Sequence, residues 1–145
     1  LAFVQELPDV PINVMLSSLP ALLALSERQH LRVHALGGKL EHDLMAFEGT
    51  IAHDILKSCH FSKAFIGTNG ILDGDVSTSN MDEGRIQQLA FSKADSRYLI
   101  ADSSKIGKRD FYTFCRLDSL DAVVCEPSIA AEDRVAIEEH TQVIC

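Results

Sequence analysis

The chain has 145 residues, of which 46% are hydrophobic and 23% are charged, a composition typical of an ordinary globular protein. Its length suits one domain, and no apolar run reaches the roughly 18 residues that a membrane-spanning helix needs. The net charge of −8 would repel a nucleic-acid backbone, which argues against direct DNA or RNA binding by these residues.

Short apolar and β-branched runs alternate with segments of helical spacing along almost the whole chain. In chain order the pattern predicts strand 12–16, helix 18–26, strand 31–36, helix 47–58, strand 64–67, helix 82–94, strands 98–101 and 122–125, helix 128–140 and strand 142–145. Each strand is expected to be buried on both faces. Segments 37–47 and 71–81 are predicted to be long irregular loops, which often carry function. The alternation favours an α/β fold with a mainly parallel sheet and helices on both faces.

Polar residues at the carboxyl ends of the predicted strands are the candidate binding site, because ligands of parallel α/β sheets bind there. Glycines, hydroxyls and lysines at such turns can place backbone amides and a cation around an anion. The predicted ligand contacts, which include one acidic residue at a helix start, are Ser17, Ser18, Gly37, Gly38, Lys39, Gly67, Thr68, Asn69, Gly70, Glu83, Asp102 and Lys105.

Two of these groups also have a purely structural interpretation. Gly37 and Gly38 can form a tight turn beside a solvated Lys39. After the strand at 98–101, a serine can cap a short helical turn while Asp102 pairs with Lys105. Both interpretations stay open beside the anion-binding one.

The cysteine and histidine patterns indicate no metal site and no cofactor. The four cysteines lack CxxC spacing, and the six histidines form no HExxH-like pattern. No signal-peptide pattern opens the chain, so we expect a cytoplasmic protein with structural thiols. Because the chain begins at Leu1 inside a predicted helix, we expect it to be an N-terminally truncated fragment that forms one domain over 1–145.

A series of segments in a fixed order resembles the carboxy-terminal sensor domain of DeoR-family transcription regulators. These segments are Leu36-Gly37-Gly38, Gly49, 63–70 (KAFIGTNG), 101–108 (ADSSKIGK) and 117–124 (LDSLDAVV). The resemblance covers nearly the whole chain, and the AFIG and SKIGK elements are its most specific parts. It implies a fold similar to ribose-phosphate isomerases and CoA transferases.

The resemblance also implies partners. The family's sensor domain binds a phosphorylated sugar and controls DNA binding by an N-terminal winged helix-turn-helix domain, which we expect to lie outside these residues. We expect the same of the family's first strand and its D-x-G-T-T loop. We expect a homodimer or homotetramer and no membrane partner.

Three positions depart from the family pattern. Ser17 stands where the family has asparagine, and Asn69 stands where it has aspartate. The arginine that often follows the LGG motif has no counterpart in 39–43, which leaves Lys39, Lys105 or Lys108 to meet a phosphate.

The prediction is therefore a non-catalytic effector-binding domain of a bacterial sugar-metabolism repressor. One alternative is an aldose-ketose sugar-phosphate isomerase, with Glu83 or Asp82 as the base and Lys105 as the electrophilic stabiliser. Another is a domain that serves only oligomerisation.

Overall fold

The computed structural model describes residues 1–145, whose contacts divide the chain into two compact units, Leu1–Ser58 and Cys59–Cys145. None of the helices combines the length and the apolar character that crossing a bilayer requires. The expectation of one domain over 1–145 stays a prediction.

The first unit contains three helices, a parallel strand pair and an antiparallel hairpin. Its elements are α1 (Ala2–Gln5), β1 (Asn13–Leu16), α2 (Leu19–Leu25), β2 (Arg32–Ala35), β3 (Lys39–Glu41), β4 (Ala46–Glu48) and α3 (Thr50–Lys57). Strands β1 and β2 pair in parallel, and β3 pairs with β4 in antiparallel register. The predicted strands at 12–16 and 31–36 and the helix at 18–26 are thus confirmed to within a few residues.

Three predictions for the first unit are wrong. Segment 37–47 is not an irregular loop, because β3 and most of β4 form a hairpin there. The helix predicted from 47 begins only at Thr50, since Phe47 belongs to β4 and Gly49, at φ +90, ends the extended backbone. Burial on both faces also fails for β1 and β2, whose side chains are half-buried or exposed.

The second unit combines a four-stranded parallel sheet with a three-stranded antiparallel sheet. Its elements are β5 (Phe61–Gly67), β6 (Gly70–Leu72), β7 (Asp75–Thr78), α4 (Met81–Ser92), β8 (Ala94–Ile100), β9 (Tyr112–Arg116), β10 (Ala122–Val124), α5 (Ala131–Glu138) and β11 (Gln142–Ile144). The parallel sheet has the order β11-β10-β8-β5, and the antiparallel sheet has the order β6-β7-β9. The predicted α/β class is confirmed.

The core of the second unit explains its parallel sheet. Leu99 on β8 and Val123 on β10 are completely buried, and they pack in one cluster with Phe91 of α4 and Phe114 of β9. Burial on both faces is wrong for the two edge strands of the parallel sheet, β5 and β11, where Phe65 and Ile144 are exposed. Central position in the sheet, and not the apolar run alone, decides which strands are covered.

The irregular loop predicted at 71–81 is also wrong, because most of it forms β6 and β7. Strand β9, which pairs with β7, was not predicted. Ser77 and Thr78 of β7 are buried although they are polar, so a search for apolar runs passes over this strand.

Candidate functional site

In the first unit, the turn at Gly37 and Gly38 packs against the start of α3. Both residues have positive φ, +75 and +100, which side-chain-bearing residues rarely adopt. A Cβ atom on Gly38 would lie 2.6 Å from the carbonyl oxygen of Glu48 and 3.2 Å from the amide nitrogen of Ala52. Only glycine therefore permits this approach of backbone to helix.

Backbone donors are open at this turn. The N–H groups of Gly37 and Gly38 donate to no other group of the chain. Helix α3 has Gly49 as its N-cap, so no side chain accepts from its first turn. We call Gly37, Gly38 and the first turn of α3 (50–52) the glycine cradle. Open amide donors beside the positive end of a helix favour an anion.

Lys39 adds a positive charge, which already forms ion pairs with neighbouring carboxylates. Its Nζ lies 2.9 Å from Oε2 of Glu41 and 3.6 Å from Oε1 of Glu48. The hydrogen bond with Glu41 is the main cause that raises the pKa of Lys39, and it lowers the pKa of Glu41. The Lys39 side chain is 68% exposed, so it is free to turn towards a new partner.

The predicted serines lie at the same hairpin. The Ser18 hydroxyl accepts from the amide of Ala21 at 3.3 Å and so caps α2, while the Ser17 carbonyl accepts from the amide of Phe47 at 2.8 Å. Ser18 thus has a structural role in this structure. Within the first unit, Ser17, Ser18 and the glycine turn all adjoin the β3–β4 hairpin.

In the second unit, backbone amides of the loop after β5 already donate hydrogen bonds within the protein. The Asn69 amide donates to the carbonyl of Ser77 at 3.0 Å, and the Gly70 amide donates to the Thr68 hydroxyl at 3.2 Å. The buried Thr68 hydroxyl in turn donates towards the Ser77 carbonyl at 2.8 Å. This loop therefore offers an anion fewer amides than its sequence predicts.

Side chains outside the predicted set contact this loop. Nδ2 of Asn69 donates to Oδ2 of Asp110 at 3.0 Å, and Nε2 of Gln87 donates to the Gly67 carbonyl at 3.3 Å. The sequence analysis missed both Asp110 and Gln87. Neither carries a motif, since Gln87 lies inside a helix and Asp110 is 41 residues from its partner.

The turn at 102–105 is likewise internally bonded. The Asp102 carboxylate caps a 3-10 turn by accepting from the amide and the hydroxyl of Ser104, and these bonds are the main cause that lowers the pKa of Asp102. The amide of Ser103 donates to Oε1 of Glu126 at 2.9 Å. Asp102, and not a serine, is the cap, and it forms no ion pair with Lys105.

Two of the predicted loops in the second unit are packed together. A Cβ atom on Gly70 would lie 2.5 Å from the carbonyl oxygen of Lys108, and the Gly107 amide donates to the Ile71 carbonyl at 2.9 Å. These contacts bring 67–70 and 102–108 to one place within the unit.

Glu83 in the first turn of α4, the proposed base of the isomerase alternative, is hydrogen-bonded to strand β7. Its Oε2 accepts a hydrogen bond from the Thr78 hydroxyl. The Asn80 side chain caps α4 by accepting from the amides of Asp82 and Glu83. No group of three or more histidine, cysteine or acidic side chains is placed to hold a metal ion.

Comparison with known proteins gives relatives that share one name. The chain is 39% identical over 124 residues to the lactose phosphotransferase system repressor of Staphylococcus aureus (strain NCTC 8325 / PS 47), covering 84% of this chain and 49% of the relative. It is 37% identical over 142 residues to the repressor of the same name from Staphylococcus epidermidis (strain ATCC 35984), covering 97% and 56%. A third repressor of that name, from Streptococcus mutans serotype c, is 37% identical over 124 residues, covering 84% and 49%.

The chain spans about half the length of these curated relatives. Their names agree with the predicted regulatory role and not with the isomerase alternative. Residues 1–126 match the family model described as the DeoR C terminal sensor domain. The chain belongs to the DeoR C-terminal sensor domain family.

Proposed function

We propose that the chain is the effector-binding part of a bacterial transcription repressor and that its effector is a phosphorylated sugar. Family membership supports a sensing role. Relatives named as repressors of a lactose phosphotransferase system support a sugar as the class of compound. Transfer of phosphate to a sugar gives a phosphorylated sugar, whose anion suits the glycine cradle.

The observation that carries this proposal is the pair of open amide donors at Gly37 and Gly38 against the uncapped start of α3. A phosphate there gains hydrogen bonds without breaking existing ones. Lys39 contributes its charge after leaving Glu41. The other predicted contacts remain proposals: Ser17, Ser18, Gly67, Thr68, Asn69, Gly70, Glu83, Asp102 and Lys105.

DNA binding is proposed for another part of the repressor. The net charge of −8 on these residues opposes contact with a phosphate backbone. The effector would act by binding one arrangement of a homodimer or homotetramer more tightly than another, because a ligand shifts an equilibrium only by that difference.

The test is calorimetric titration of the full-length protein with two pairs of C4 epimers, glucose and galactose 6-phosphates and fructose and tagatose 6-phosphates. The matching unphosphorylated hexoses serve as controls. We expect binding of at least one hexose 6-phosphate and none of the free hexoses. Failure of all four phosphates to bind at millimolar concentration would overturn the proposal, and entry of solvent deuterium into a bound sugar would indicate an isomerase instead.

Two substitutions test the cradle in opposite directions. Lys39→Met removes the cation and should weaken hexose phosphate binding by about 2- to 5-fold, as for an exposed ion pair. Glu41→Gln removes the competing carboxylate and should strengthen binding by a similar factor. Lys57→Met is the matched control, because Lys57 lies in the last turn of the same helix α3. An equal effect of Lys57→Met would contradict phosphate binding at the cradle.

A further inference from the structure

Gln87 of α4 carries a buried hydrogen-bond acceptor without a partner. The residue is 8% exposed, and its Nε2 donates to the carbonyl of Gly67 at the end of β5. Its Oε1 is buried and accepts no hydrogen bond from the protein. Buried polar atoms in folded proteins are paired with few exceptions, so this oxygen needs a donor that the chain does not supply.

The surroundings of Gln87 show which kind of donor is missing. At the end of β5, the hydroxyl of Thr68 and the amide of Asn69 donate to the Ser77 carbonyl of β7, and the amide of Gly70 donates to the Thr68 hydroxyl. The buried side-chain atom without a partner is the amide carbonyl oxygen of Gln87, which repels a phosphate and attracts a hydroxyl or an N–H.

The orientation of the Gln87 amide is fixed. Exchange of its oxygen and nitrogen would set Oε1 against the Gly67 carbonyl, so that two acceptors would face each other. An acceptor held in one orientation distinguishes a hydroxyl that reaches it from one that points elsewhere.

We propose that Gln87 is a specificity-determining residue whose Oε1 accepts a hydrogen bond from a hydroxyl group of the sugar effector. This inference rests on the proposed function and assigns to it a residue that recognises the sugar and not its phosphate. Gln87 acts directly on the ligand, and the bond to Gly67 holds it in place.

The experiment measures sugar discrimination. The full-length protein, with and without Gln87→Leu, is titrated with the four hexose 6-phosphates, with 2-deoxyglucose 6-phosphate and with inorganic phosphate. We expect the wild-type ratios of Kd among the sugar phosphates to shrink by about 3- to 10-fold in Gln87→Leu, while the Kd of inorganic phosphate is unchanged. Gln88→Leu, at the exposed neighbouring position of α4, should leave the ratios as they are.

Folding and binding failures are separable in this design. Thermal unfolding without ligand shows whether Gln87→Leu is folded, and Gln87→Met, which keeps an unbranched side chain, replaces it if it is not. Unchanged ratios, or equal weakening of every probe including inorganic phosphate, would overturn the role of Gln87 and point to an enclosed water molecule as the missing donor. Absence of binding by the wild-type protein would overturn the proposed function itself.

Discussion

Replacing Gly38 with alanine should destabilise the first unit strongly. A non-glycine residue held at a φ of +100 costs about 1–3 kcal/mol in backbone strain. The added methyl would also lie 2.6 Å from the Glu48 carbonyl oxygen and 3.3 Å from the Ala52 Cβ. Neither atom is the end of a flexible side chain, so relief requires movement of the backbone, at about 1–3 kcal/mol more. The sum is about 2–6 kcal/mol.

Gly107→Ala is the matched control for strain without crowding. Gly107 has a φ of +75, but no atom lies within 4 Å of the position that its Cβ would take, so we expect a loss of about 1–2 kcal/mol. Both variants of the full-length protein are unfolded in urea and followed by circular dichroism. If Gly38→Ala costs no more than Gly107→Ala, the close packing of the glycine turn on α3 is wrong.

Three further predictions concern the second unit. Gly84→Ala should lower the melting temperature, because the added methyl would lie 2.3 Å from Cδ1 of Tyr112. This clash should outweigh the helix propensity of alanine, which exceeds that of glycine by about 1 kcal/mol. An unchanged or higher melting temperature would contradict this packing. Burial raises the pKa of Cys115 to about 12, so mass spectrometry should show slow labelling by iodoacetamide at pH 8 and fast labelling in urea. The hydrogen bond from His140 lowers the pKa of Asp118, so its stabilisation is present above the ordinary pKa of 3.8 and is lost as pH falls through the lower folded value. Asp118→Asn should therefore destabilise the protein to urea at pH 7, and this difference from the wild type should shrink as the pH falls below 3.8.

The parallel half of the fold follows from the sequence because its central strands consist of apolar residues. Leu99 and Val123 lie in runs that can only be buried, and the intervening helices have clear periodicity. The antiparallel strands have no such apolar pattern in the sequence. Ser77 and Thr78 are tolerated in the interior because their hydroxyls bond to Gly70 and Glu83, partners that no local pattern identifies.

The sequence predicts which turns form the candidate site, but not which of their backbone amides lack a hydrogen-bond acceptor. In sequence, the glycines that bracket 67–70 indicate an anion site more strongly than the glycine pair at 37–38 does. The first turn keeps both glycine amides open, whereas in the second turn the amides of Asn69 and Gly70 donate to Ser77 and Thr68. Nothing in the sequence indicates that Gln87 is buried, since a polar residue in a helix is usually solvated.

The turn at 102–105 has the sequence of an anion site at a strand end, but its hydrogen bonds disfavour an anion. Its amides at Ser103 and Ser104 already donate to the carboxylates of Glu126 and Asp102. A phosphate bound by these amides would have to displace both carboxylates and remain beside their negative charges, which Coulomb repulsion opposes. The Lys105 side chain takes no part in this capping. Any contact of this turn with the phosphate group of the effector should therefore come from Lys105 Nζ and not from the backbone.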